Sequence, residues 1–442
     1  MYSQLSIEQL VNGFRSGQHC PDTWQHALRE RHVQMQHLNS FITFDPSAFK
    51  ANAAGPDSAL YGLPVSFKDN INVSGLPTTA GTPGLADYVP QNDADIVQRF
   101  RQLGAQVVGK NNMHELSFGV TSANHSHGAV INPANERHSA GGSSGGCAAA
   151  VAAGLVPCAV GTDTGGSVRI PAAFCGIVGF RPTTGVYPAD GIVPVSQTKD
   201  TPGLLTRTVE DCQFVHAQLS GSLHQAETRP LRIGIPERFL WTDLADNVQR
   251  ACRAAIDTLA ERGVIIVPVD DAVIGEINES IQFPLPIYEF FIDFPRFLMK
   301  AGRGEQFLDI LAQIRDPAIK KILTAQLESP AISYTDYVQA LMSKLRLEKE
   351  YRALFSRHQL DLLAYPTVTC SAPLLSDCSD ESNFETFVRN TDPASNLAAP
   401  SISVPVAAAG ELPVGLSFDA LPGQDSFLLA NVQRLARLLN IA

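Results

Sequence analysis

Residues 141–171 read GGSSGGCAAAVAAGLVPCAVGTDTGGSVRIP and decide the fold of this chain. Two serines bracketed by glycines, Ser143 and Ser167, are joined by an alanine-rich run that predicts a helix followed by a short buried strand. Glycine lets the backbone bend tightly and brings main-chain N–H groups close to a reacting atom. The stretch therefore predicts an α/β unit whose two loops surround the hydroxyl nucleophile of an acyl-transfer enzyme.

A lysine in an apolar setting lies upstream, where residues 63–70 read LPVSFKDN. A serine hydroxyl is a weak nucleophile and needs an adjacent base. Lysine serves as a base only when it is neutral, and removal from water lowers its pKa in that direction. We therefore predict that Lys68 is the base. A hydroxyl both donates and accepts a hydrogen bond, so Ser143 can pass the proton of Ser167 to this amine.

The lysine motif, the two serine loops and the string FCGIVGFRPT at 174–183 follow one another as they do in the amidase signature family, which this chain resembles. The resemblance runs from about residue 5 to the C-terminus and is densest over 62–208. It implies an α/β fold with one large mixed β-sheet covered by helices on both faces. It also implies a single amidase domain over 1–442, with 62–208 as its signature core.

By position in these motifs, the resemblance implies Ser167 as the acyl-accepting nucleophile, Ser143 as a bridging serine and Lys68 as the base of both. It places the bridging serine on a cis peptide bond after Gly142. The same chemistry needs no cofactor and no metal ion. An oxyanion must also be stabilised, and the predicted donors are the main-chain amides of the nucleophile loop. These belong to Thr164, Gly165, Gly166 and Ser167.

Three further strings narrow the substrate: GKNNMHELSFGVTS at 109–122, RNTD at 389–392 and PVGLSFDA at 413–420. They are similar to family members that convert indole-3-acetamide to the auxin indole-3-acetate and ammonia, which implies a small, neutral aryl-acetamide as substrate. Met113 and Phe118 follow a strand that should end near the triad, so they are the predicted apolar substrate contacts. The rival interpretations are an amidase for mandelamide or an aliphatic amide, a transamidase subunit acting on charged tRNA, and a catalytically silent scaffold.

Several polar residues near the motifs have simpler explanations than catalysis. Asp163 and Arg169 flank the nucleophile and are predicted to form an ion pair that braces its loop. Asp69 should point away from its lysine neighbour in an extended strand, so we assign it to structure. Ser144 is predicted to shape its loop. Neither glycine loop ends in Gly-Lys-Ser/Thr, which argues against phosphate binding.

Composition restricts the setting of the protein. The 442 residues are 44% hydrophobic and carry a net charge of −11, and an acidic surface disfavours nucleic acid and anionic membranes as partners. The eight cysteines include no C-x-x-C pair, and we expect them to be reduced thiols. No signal peptide is apparent, and the longest apolar run is too short to cross a bilayer. We therefore expect a cytoplasmic enzyme, with a homodimer as an open possibility.

Local patterns predict most of the secondary structure. Ser6 and Gln9 form the pattern of a capping box that opens a helix. From residue 62 onwards strands alternate with helices, which favours a sheet covered on both faces. Residues 274–358 predict a mainly helical lobe with breaks at Pro284, Pro286 and Pro330. The aromatic run 283–297 within it is expected to be core rather than substrate pocket.

Overall fold

An eleven-stranded mixed β-sheet forms the centre of the protein, whose computed structural model describes residues 5–46, 54–380, 382–407 and 410–441. Eleven of the strands run in the order β1-β3-β2-β6-β8-β7-β12-β13-β11-β9-β10, and β4 pairs with β5 in a separate ribbon. The strands are β1 (Phe41–Phe44), β2 (Pro64–Lys68), β3 (Gln106–Asn111), β4 (Ala123–Asn124), β5 (Gly128–Ala129), β6 (Cys158–Asp163), β7 (Val178–Arg181), β8 (Thr201–Thr206), β9 (Arg232–Pro236), β10 (Ile265–Val269), β11 (Leu362–Pro366), β12 (Ser401–Pro405) and β13 (Gly415–Asp419).

Helices cover both faces of this sheet, and every residue of the central strands β2, β6, β8 and β7 is therefore buried. The first of them begins with the expected capping box, in which Ser6 and Gln9 satisfy each other's backbone amides. The helices are α1 (Ile7–Arg15), α2 (Pro21–Met35), α3 (Asp95–Gln102), α4 (Gly145–Ala152), α5 (Arg169–Cys175), α6 (Val209–Ser220), α7 (Asp246–Glu261), α8 (Ala272–Gln282), α9 (Pro284–Lys300), α10 (Phe307–Ala312), α11 (Pro317–Glu328), α12 (Tyr334–His358), α13 (Ser382–Val388), α14 (Asp392–Asn396) and α15 (Asp425–Leu438).

The segment predicted as a helical lobe contains helices α8 to α12, and one of its expected breaks is wrong. Pro284 begins α9 and Pro330 lies between α11 and α12, as expected. Pro286 instead lies inside the first turn of α9. Backbone N–H groups in a first turn have no acceptor within the helix, so a proline there costs no hydrogen bond. Phe290 and Phe294 of this helix are fully buried in an apolar cluster with α10 and α11. The division of the chain into domains stays a prediction.

Parallel pairing of β2 with β6 sets up the site. Val65, Ser66 and Phe67 lie opposite Cys158, Ala159 and Val160, so the two strands end side by side. Lys68 therefore comes beside Thr162, and the nucleophile loop follows directly after β6. α4 begins at Gly145, two residues earlier than its alanine-rich run suggests, and so starts inside the first serine loop. Within the described residues, no helix has the length and apolar character needed to span a membrane.

Candidate active site

Lys68 is enclosed at the end of β2 and contacts hydroxyl groups. Its side chain has no solvent exposure. The amine nitrogen Nζ lies 2.7 Å from Ser143 Oγ and 2.8 Å from Thr162 Oγ1. Thr162 Oγ1 also accepts a hydrogen bond from Asn70 Nδ2 at 3.1 Å. The predicted base and the predicted bridging serine are thus in direct contact.

Two other buried lysines have carboxylate partners, whereas Lys68 has none within the described ranges. Lys110 lies 3.2 Å from a carboxylate oxygen of Asp69, and Lys199 lies 2.7 Å from one of Asp392. Among the described residues, Lys68 has no carboxylate oxygen within ion-pair distance of its amine. Burial lowers the pKa of Lys68 to about 7, although the more distant Cys147, Asp200 and Asp163 act to raise it. Burial thus favours the neutral amine of Lys68, which is the form that a base requires.

The loop of Ser143 is fixed by its backbone. The Gly142–Ser143 peptide bond is cis, as the sequence resemblance implies. The carbonyl of Ser143 accepts a hydrogen bond from the amide of His114 at 3.1 Å. The neighbouring amide of Ser144 donates to the carbonyl of Ser167 at 3.2 Å, which joins the two serine loops. Ser144 Oγ bonds both main-chain groups of Thr162, at 3.2 and 3.3 Å, in agreement with a loop-shaping role.

Asp163 organises the nucleophile loop through two arginines. Arg169 Nη2 lies 3.0 Å and Arg181 Nη1 2.9 Å from its Oδ1 atom, and all three side chains are fully buried. The predicted ion pair of Asp163 with Arg169 is therefore confirmed, and Arg181 is an additional member. Burial alone would raise the pKa of Asp163, but the two guanidinium groups hold it well below its usual range. The carboxylate stays ionised and serves as a structural anchor.

The four predicted oxyanion donors differ in their hydrogen bonds. The Gly166 amide donates to Asp163 Oδ1 at 2.9 Å, so it is already engaged. Gly166 has φ +135°, and a Cβ atom there would clash with Thr391 Oγ1. A Cβ atom at Gly165 would meet its nearest neighbour, an oxygen of Asp392, at 3.4 Å. Within the described part of the chain, the main-chain amides of Thr164, Gly165 and Ser167 donate no such hydrogen bond.

Met113 and Phe118 lie on the segment that supports Ser143. Met113 is fully buried, and its carbonyl accepts a hydrogen bond from Asn124 Nδ2 at 2.9 Å. Phe118 is partly exposed and meets Phe290 of α9 edge to face, with ring centroids 4.9 Å apart. Phe118 is therefore the more accessible of the two predicted substrate contacts.

Sequence reasoning missed three polar residues of the site: Thr162, Asn70 and Asp200. Thr162 and Asn70 lie in the quoted motifs, and strand ends that meet in parallel would have pointed to Thr162. Asp200 carries no such signal, since it reaches the nucleophile loop from 36 residues away in sequence. Among the described residues, no group of three or more His, Cys, Asp or Glu side chains is arranged to hold a metal ion.

Comparison with known proteins agrees with this geometry. A profile of the Amidase family matches residues 27–429. The chain belongs to the amidase family. This amidase is 46% identical to the indoleacetamide hydrolase of Pseudomonas syringae pv. syringae over 99% of its own length and 100% of that protein.

Solved structures place the fold of this amidase in the same family. A crystal structure of an amidase superposes with a TM-score of 0.85 at 30% identity, covering 98% of this chain and 100% of the other. The peptide amidase of Stenotrophomonas maltophilia gives a TM-score of 0.85 at 26% identity, with 99% and 98% covered. The predicted α/β class with one large mixed sheet is confirmed, and the protein is a hydrolase of amide bonds.

Proposed function

We propose that this amidase hydrolyses indole-3-acetamide to indole-3-acetate and ammonia, a step of auxin biosynthesis. The observation that carries the proposal is the 46% identity to an indoleacetamide hydrolase over essentially the whole of both chains. The partly exposed Phe118, packed on Phe290, supports it because an aromatic edge suits a flat indole ring.

We further propose a Ser-Ser-Lys triad. Ser167 Oγ attacks the amide carbon while its proton passes to Ser143, and the Ser143 proton passes to the neutral amine of Lys68. The 2.7 Å separation of Lys68 and Ser143 supports this relay. When the C–N bond breaks, Lys68 returns the proton through Ser143 to the leaving nitrogen, and ammonia departs. Water then attacks the ester of Ser167 and releases the carboxylate.

The tetrahedral intermediate needs donors for its oxygen. We assign this role to the main-chain amides of Thr164, Gly165 and Ser167. The Gly166 amide, held by Asp163, would instead shape the turn. Removal of one oxyanion donor typically lowers kcat about 10²–10³-fold.

A panel of amides tests the substrate. We expect kcat/KM for indole-3-acetamide to exceed that for mandelamide, benzamide, malonamate and propionamide by about tenfold or more, since of these amides only indole-3-acetamide has a bicyclic ring to pack against Phe118. F118A should raise KM for indole-3-acetamide and leave propionamide hydrolysis within about twofold. A preference for mandelamide or propionamide would identify one of the rival amidases. Ammonia release that requires a partner protein and charged tRNA would identify a transamidase.

A fluorophosphonate probe tests the nucleophile. It should acylate the wild-type enzyme at Ser167 and fail to label S167A. A wild-type protein that is not labelled and releases no ammonia from any amide would instead be the silent scaffold.

We also propose a cytoplasmic homodimer. No disulfide bond joins the cysteines of the described residues, which suits a reducing compartment. Four apolar side chains on one face of α12 have exposed fractions of 37–67%, namely Tyr334, Val338, Met342 and Leu345. The four residues lie almost symmetrically about residue 340. Two copies of α12 packed antiparallel across a twofold axis at that point would therefore bring the apolar side chains of one copy against those of the other. M342E should shift a dimer to a monomer in sedimentation velocity, and a monomeric wild-type protein would refute the dimer.

A further inference from the structure

Residues 195–200 connect the helical segment to the catalytic loops. Ser196 Oγ and Thr198 Oγ1 both donate to Glu289 of α9, at 2.5 and 3.0 Å. Lys344 of α12 donates to the carbonyl of Thr198 at 2.7 Å. The segment is thus anchored from two helices before it reaches the sheet at β8.

Asp200 ends this segment with its carboxylate on the nucleophile loop. Thr164 Oγ1 donates to Asp200 Oδ1 at 2.6 Å. The other oxygen, Oδ2, accepts the amides of Val195 and Ser196 at 2.8 and 3.0 Å. Thr164 immediately precedes Gly165 and lies three residues before the nucleophile. The carboxylate therefore holds the backbone from which the proposed oxyanion donors project, and the proton relay described above makes no use of it.

Charged groups surround Asp200 on several sides. Lys68 of β2 and Arg181 of β7 are cations close enough to interact with it. Glu289 of α9 is the interacting anion, and burial together with this charge raises the pKa of Asp200 to about 6 although Thr164, Ser196 and Val195 donate to it. Asp200 and Thr162 both line a cleft of about 1220 Å³ that opens to solvent. Asp200 can therefore exchange protons with bulk water.

We propose that Asp200 is a positioning residue of the amide hydrolysis, whose ionised carboxylate aligns Thr164 and the oxyanion amides and stabilises the protonated form of Lys68. The inference rests on the proposed function. When Asp200 takes up a proton, Thr164 loses an ionised acceptor and the amides lose their alignment. Hydrogen bonds to charged groups are the stronger ones, so we expect about a tenfold loss of kcat.

The pH profile of kcat/KM reports the free enzyme. In the wild type, protonation of Lys68 near pH 7 alone gives a limb with a slope of one. Between about pH 6 and 5 the limb should become steeper, because Asp200 is protonated there as well. For D200N, the acidic limb of the kcat/KM profile should keep a slope of one down to pH 5. Its midpoint should lie at lower pH, since a negative charge that favours the ammonium form of Lys68 is removed. At pH 8 we expect its kcat to be about tenfold lower, with KM within about twofold.

Two variants control for general damage. D190N changes an exposed carboxylate of the same cleft, paired with Lys300 at 2.7 Å, and should leave rate and profile unchanged. The T164V/D200N double variant should lose no more activity than T164V alone, because both changes remove the same hydrogen bond between Thr164 and Asp200. Additive losses, or a D200N enzyme with wild-type kcat and limb shape, would overturn the proposal.

The wild-type profile keeps the proposal testable even if D200N fails to fold, since a limb with a slope of one down to pH 5 contradicts it. Failure of the proposed function has a different signature. If the wild type does not hydrolyse indole-3-acetamide, the same profiles are measured with whichever amide of the panel it cleaves, and the role of Asp200 is judged there.

Discussion

Replacing Lys68 by methionine should stabilise the folded protein at neutral pH and abolish its activity. Burial lowers the pKa of Lys68 from 10.5 to about 7, so between these values the unfolded chain binds about one proton more than the folded chain. The free energy of unfolding of the wild type therefore increases with pH by about 1.4 kcal/mol per unit in this window, and K68M lacks this dependence.

The magnitude follows from two opposing contributions. At pH 7.5 the wild type loses about 4 kcal/mol because the amine must give up its proton, or be desolvated with it, on folding. K68M avoids this cost but loses the contacts with Ser143 and Thr162, worth about 1 kcal/mol each. We expect K68M to be about 2 kcal/mol more stable than wild type at pH 7.5 and slightly less stable than wild type at pH 9.5.

Urea unfolding followed by circular dichroism at these two pH values measures the difference, and ammonia release measures the activity, which should fall at least about 10³-fold. K320M, at an exposed lysine, serves as the control and should show no change of sign. If the stability difference between K68M and wild type is the same at both pH values, Lys68 is charged in the folded enzyme. It could not then act as the base.

Three other predictions concern the same loops. S143A should lower kcat at least about 10³-fold, as loss of a relay member does, whereas S144A should lower stability by about 1 kcal/mol and kcat by less than tenfold; equal losses would contradict the assigned roles. G166A should be inactive, because its methyl group would clash with the hydroxyl of Thr391, and G165A should fold with a wild-type melting temperature; a soluble, active G166A would show that the loop adapts. R181M should destabilise the protein by about 3–5 kcal/mol in urea unfolding, because it removes one of two cations from a buried carboxylate; a change below about 1 kcal/mol would mean that the remaining arginine suffices.

Local elements followed closely from sequence patterns. The capping box of Ser6 and Gln9 lies where the capping rule puts it, and a buried strand follows the alanine-rich helix as its pattern predicts. Errors arose where a local rule depends on position within an element. Pro286 was expected to break a helix, yet Pro is tolerated in a first turn, and α9 even contains Pro295 further on.

The candidate site divides in the same way. The contact of Lys68 with Ser143 was expected because both lie in motifs of a recognisable family. Arg181 and Asp200 were not expected, since their partners Asp163 and Thr164 are 18 and 36 residues distant. No spacing rule predicts such contacts, because strand order in the sheet decides which residues meet.

The proposed reacting groups were thus readable in the chain itself: a hydroxyl between glycines, a second hydroxyl and one lysine among apolar neighbours. Whether that lysine is neutral was not readable there. The proton affinity of an amine depends on solvent exclusion and on the charges nearby. The three buried lysines of the described residues are chemically identical and differ only in their partners. Only the folded arrangement gives carboxylates to Lys110 and Lys199 and hydroxyls to Lys68, because folding alone determines which groups share the space from which water is removed.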